Sequence, residues 1–123
     1  RGSGRERWWR RVAGGVSICP PDPADDPAGH AAARLVIDEF QRGRMARYQE
    51  WLATSEQWPR EWREGTLDSS VHFALTAPEM TALAEELDEV IERWKQRLGT
   101  RNPGDEFTPV ELQLSLFPLR PPE

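Results

Sequence analysis

The chain has 123 residues, one cysteine and a formal net charge of -5, with a mean hydropathy of -0.73 and a pI near 5.1. A chain this short is one domain or a piece of a larger protein, and its acidity excludes a surface that grips nucleic acid throughout, because phosphate binding needs clustered Lys and Arg. Cys19 alone excludes an internal disulfide, and no apolar run approaches the ~20 residues of a membrane span, so a reducing, cytoplasmic setting is expected.

The chain opens Arg1-Gly2-Ser3-Gly4 without an initiator methionine. The natural protein is therefore expected to be longer at this end, or to have lost a tag. Arg5, Arg7, Arg10 and Arg11 interleave with Trp8, Trp9 and Val12, and this basic, aromatic stretch has strand character. It has two readings: arginines positioned on phosphates, or solvated arginines beside a buried tryptophan. Val16-Ser17-Ile18 follows as a short extended piece. Cys19-Pro20-Pro21-Asp22-Pro23 is a stiff, polyproline-like link.

A first helix is expected from Asp26-Pro27, with Asp26 as N-cap and Pro27 in the first turn. The Ala31-Ala32-Ala33 run favours it, and Val36, Ile37, Phe40, Met45, Tyr48, Trp51 and Leu52 form its apolar side. Gly43 is a weak spot unless something packs closely on it. The helix should end between Ala53 and Gln57, since Pro59 disfavours helix at Trp58. Residues 58–65 then form an aromatic connector with room for one helical turn.

In residues 66–75, Leu67, Ser69, Val71, Phe73 and Leu75 alternate with polar neighbours, which predicts a strand. A second helix starts after Thr76, where Thr76 and Glu79 have the spacing of a capping box and Pro78 lies in the first turn. Met80, Leu83, Ala84, Leu87, Val90, Ile91, Trp94 and Leu98 recur at steps of three and four and make one stripe, and Gly99 is a stop. A stripe that long needs a partner surface, in this chain or in a second copy of it. Pro103-Gly104-Asp105 is a loop, residues 110–116 alternate as a last half-buried strand, and Pro118, Pro121 and Pro122 end it. The expected fold is α+β, in the order strand-helix-strand-helix-strand, with two long amphipathic helices packed on a small mixed sheet.

The segments Gly4-Arg5-Glu6-Arg7-Trp8-Trp9-Arg10, Asp25-Asp26-Pro27, Leu75-Thr76-Ala77-Pro78-Glu79-Met80, Leu87 to Trp94 and Val110 to Leu119, taken together, resemble the C-terminal portion of ArsR-like winged helix-turn-helix transcriptional regulators of actinobacterial type. The resemblance implies that residues 1–22 are a basic strand and Pro-rich linker leading out of an N-terminal winged helix that these residues do not include. It implies a dimerisation and effector-sensing domain over 23–119, and 120–123 as a frayed tail. The implied partners are a second copy of the chain, DNA through the winged helix, and a small hydrophobic or aromatic effector. The cysteine-rich metal box of the metal-sensing members is absent, and Cys19, His30 and His72 lack ligand spacing, so neither metal nor cofactor is expected.

Tyr48, Trp51, Trp58, Trp62 and Phe73 are the candidate walls of an effector pocket, against the plainer reading of aromatics as core. Arg5, Arg7, Arg10 and Arg11 are candidates for lying near DNA, and Met80, Leu83, Leu87, Ile91 and Trp94 for the dimer and core helix. The carboxylates Glu85, Glu86, Asp88, Glu89 and Glu92 read as a solvated face rather than an acid/base pair. No nucleophile elbow, phosphate-cradling loop or metalloprotease spacing is present, so a non-enzymatic regulator is expected. The other reading is a stand-alone small-ligand-binding or protein-interaction module without a DNA role.

Overall fold

A computed structural model of the chain describes residues 9–12, 15–18, 20–104 and 106–121. The order of elements is β1 (Trp9–Val12), β2 (Gly15–Ile18), α1 (Pro27–Thr54), a 3-10 turn (Ser55–Gln57), α2 (Arg60–Glu64) and α3 (Ala77–Leu98). The chain divides into two units, residues 1–66 and 67–123.

In the first unit β1 and β2 form an antiparallel hairpin in which Trp9 is opposite Ile18 and Val12 opposite Gly15. The Asp22 carbonyl and carboxylate then wind the chain toward α1. The carboxylate accepts from Ala24 N–H at 2.8 Å, and the carbonyl accepts from Asp25 and Asp26 N–H at 3.1 and 3.0 Å, as short polar side chains do in turns. Asp26 caps α1, its Oδ1 accepting from Gly29 N–H at 2.9 Å. One turn of helix further on, Ala33 joins Gly29 as the buried residues of α1. His30 Nδ1 lies 2.9 Å from the Pro21 carbonyl and ties the proline link to the helix. Away from this small-residue face Leu35, Met45 and Leu52 are exposed, while Val36, Ile37, Tyr48 and Trp51 are half-buried.

Helix α1 ends at Thr54 and tightens into the 3-10 turn, a common way for terminal carbonyls to find partners. Trp58 is extended, with φ -84° and ψ 147°, as the clash with the Pro59 ring requires. The connector then makes the short helix α2, whose Arg60 and Glu64 pair at 2.7 Å on the surface.

In the second unit α3 begins as its local code dictates. Thr76 N–H donates to Glu79 Oε1 at 2.8 Å, and Glu79 N–H donates to Thr76 Oγ1 at 3.3 Å, closing the capping box. Gly99 stops the helix at φ 61°, in the region that disfavours a side chain. Its N–H donates to the Lys95 carbonyl at 3.1 Å.

The fold is helical, and the α+β expectation is corrected. Residues 66–75 and 110–116 are not strands, and among the described residues no mixed sheet exists for the helices to pack on. Alternation marks a chain with two kinds of face, but a strand also needs a neighbour to take its N–H and C=O groups. Asp68, Ser69 and Ser70 favour local turns over a ladder, and Pro109 and Pro118 deny donors at either end of 110–116. Most apolar members of both segments are accordingly exposed, from Leu67 at 86% to Leu75 at 41%, while Leu116 is half-buried. The α3 stripe is likewise without a sheet beneath it, and no residue of α3 is buried.

Candidate functional site

An aromatic corner lies where α1 turns into α2. Steps of three and four along α1 place Arg47, Trp51 and Thr54 on one face, and the 3-10 turn brings Gln57 and Trp58 back onto it. The Trp51 and Trp58 ring centroids lie 5.9 Å apart with planes tilted by 55°. Trp58 meets Trp62 edge-on at 6.3 Å and 69°. Both geometries suit rings whose faces are negative and edges positive. The corner is pinned by main-chain bonds. Trp58 N–H donates to the Ser55 carbonyl at 3.1 Å, Trp62 N–H to the Pro59 carbonyl at 3.0 Å, and Arg63 Nε to the Trp58 carbonyl at 3.2 Å.

Beside these rings lies an open depression of about 460 Å³ lined by Arg47, Glu50, Trp51, Thr54, Gln57 and Trp58. Its volume falls in the ~300–1,000 Å³ range of small-molecule sites. Its lining combines two indoles with a guanidinium and a carboxylate, side chains that can take a flat ligand by stacking and orient it by charge. A second depression of about 380 Å³ lies about three turns earlier on the same helix, lined by Val36, Glu39, Phe40, Gly43 and Arg47. Arg47 borders both, so the two form one track along α1.

Of the five proposed pocket residues, Trp51 and Trp58 line the depression and Trp62 packs behind Trp58. Tyr48 is half-buried on α1 but is not among the lining residues. Phe73 belongs to the second unit, in an unpaired segment, and is 60% exposed. The sequence reading overlooked Arg47, Glu50, Thr54 and Gln57. Arg47 and Thr54 carry a signal in their four- and three-residue spacing from Trp51, whereas Glu50 and Gln57 carry none of that kind.

Arg5 and Arg7 lie outside the described residues, as does Cys19. The backbones of Arg10 and Arg11 sit in β1 opposite Ser17 and Val16. On α3, Met80, Leu83, Leu87 and Ile91 are half-buried and Trp94 is 51% exposed. The Arg97 guanidinium lies 4.5 Å from the Trp94 ring centroid, a cation–π contact. Among the described residues no group of three or more His, Cys, Asp or Glu side chains is placed to hold a metal ion, and His72 is exposed.

Among the described residues no helix is long and apolar enough to cross a membrane. No family model matches the chain, and no curated protein or solved structure matches it.

Proposed function

We propose that the chain is the regulatory domain of a bacterial DNA-binding transcription regulator of ArsR-like winged-helix type, without enzymatic activity and working in the cytoplasm. It mediates dimerisation and senses a small hydrophobic or aromatic effector. DNA is read by a winged helix preceding the basic strand around Arg10 and Arg11. The observation that carries this reading is the α3 stripe from Met80 to Leu98, apolar residues at helical spacing of which none is buried. Such a surface marks an interaction site. The aromatic corner on α1 supplies the second requirement, a place for an effector to stack beside Arg47 and Glu50.

Regulation requires that the effector bind the two association states with different affinity. Tryptophan fluorescence against a panel of small aromatic acids and amines tests binding, and sedimentation with and without the responding compound tests coupling. A compound that quenches the emission and shifts the dimer constant supports the regulator. The aromatic corner also favours a second reading, a stand-alone ligand-binding module, and quenching with an unchanged dimer constant selects it. No response to any compound removes the sensing role.

A further inference from the structure

We infer that α3 pairs with α3 of a second copy of this chain in antiparallel orientation, with Leu87 on the twofold axis. The inference deepens the dimeric reading above and rests on it. It starts from spacing. Along the stripe, Met80, Leu83, Leu87, Ile91 and Trp94 are separated by three, four, four and three residues. That sequence of steps is a palindrome about Leu87. A helix rotated end over end through Leu87 therefore presents the same stripe. Leu83 meets the partner's Ile91, Met80 meets the partner's Trp94, and Leu87 meets its own copy, as an isologous contact demands. The parallel alternative stacks each residue on itself, so that Trp94 confronts the partner's Trp94 at one level and Met80 confronts the partner's Met80 at another.

Charge selects between the two. The first turn of α3 carries Glu79, and its last turn carries Lys95 and Arg97. Antiparallel pairing brings each acidic start beside a basic end and opposes the two helix dipoles, whereas parallel pairing stacks like ends and aligned dipoles. The ends decide the matter, because Glu86 and Asp88 flank Leu87 and the central turns are like-charged whichever way the partner runs. None of the five is sealed within the chain: Trp94 is 51% exposed, and Met80, Leu83, Leu87 and Ile91 are half-buried. The capping box and Gly99 fix where the rod begins and ends without help from a partner.

Cysteine cross-linking in a Cys19→Ser background tests the register, with sedimentation of the same chains. A sedimenting dimer is expected. Under mild oxidation Leu87→Cys should link to itself, and a mixture of Met80→Cys and Trp94→Cys chains should link while neither links alone. Leu87→Glu, at a position that is not buried within the chain, should keep the helical circular dichroism and weaken the dimer at least roughly tenfold. Self-linking of Met80→Cys and of Trp94→Cys, each alone, overturns the antiparallel register and leaves the dimeric regulator standing. A chain that stays monomeric at high micromolar concentration overturns both.

Discussion

Gly29 and Asp26 should be energetically coupled, and the sign of that coupling follows from one distance. A Cβ built on Gly29 would sit 2.1 Å from Asp26 Oδ2 and 2.7 Å from its Cγ, inside any permissible contact. Gly29→Ala therefore expels the Asp26 carboxylate and breaks the bond to the Gly29 N–H. Losing an N-cap costs about 1 kcal/mol, and replacing a helical glycine by alanine returns up to about 1 kcal/mol. The single Gly29→Ala change should thus be close to neutral. Asp26→Ala alone should cost about 1 kcal/mol. Once the carboxylate is gone, adding Gly29→Ala should recover up to about 1 kcal/mol, so the double variant returns near the parent. The coupling energy is then about 1 kcal/mol, well above the ~0.3–0.5 kcal/mol that independent sites show. Urea unfolding followed by far-ultraviolet circular dichroism measures all four corners of the cycle. Additivity within ~0.3 kcal/mol would refute the claim that the cap and the glycine are one device.

Gly43 presents the opposite case, since its added Cβ would meet only the flexible end of Arg47, at 3.1 Å. Gly43→Ala should stabilise α1 by up to about 1 kcal/mol, read in the same urea titration. The Glu79 carboxylate is held below its ordinary value of 4.5, first by the Thr76 N–H it accepts and then by the Thr76 hydroxyl. A lowered carboxylate contributes stability that is complete above 4.5 and is lost as pH falls through its folded value. α3 should therefore lose helicity on acidification below that point, and Glu79→Gln, which keeps the acceptor oxygen but cannot titrate, should remove that part of the pH dependence. Trp58→Ala removes both ring contacts, each worth about 0.5–1.5 kcal/mol in a well-packed pair, and should abolish the near-ultraviolet dichroism of the coupled indoles. An unchanged near-ultraviolet spectrum would show that the rings do not associate in solution.

The helices were legible because their instructions are local. Asp26-Pro27, Thr76 with Glu79, and Gly99 each act within a turn or so of where they stand, and α1 and α3 begin and stop there. The strands expected over residues 66–75 and 110–116 are the misreading, because a ladder depends on a neighbour that no nearby residue encodes, whereas the extended pieces Trp9–Val12 and Gly15–Ile18 lie close enough in sequence to pair with each other. The alternation of residues 110–116 and the capped start of α3 look equally strong on the page, yet a helix start is specified within one turn whereas a ladder needs a second strand. The aromatic corner lies between these cases. Pro59 and the spacing of Trp51, Trp58 and Trp62 announced a bend, whereas the polar half of its lining emerged only once the 3-10 turn had brought Gln57 around.

The stretch 110–116 has one further consequence. Val110, Leu112 and Leu114 are exposed at every second position, the pattern from which fibrillar stacking between molecules can start. Pro109 and Pro118 bracket that stretch. Lacking amide protons, prolines so placed cannot donate to an intermolecular ladder, the property of gatekeeper residues. Replacing both would be expected to turn a harmless tail into a nucleus for aggregation.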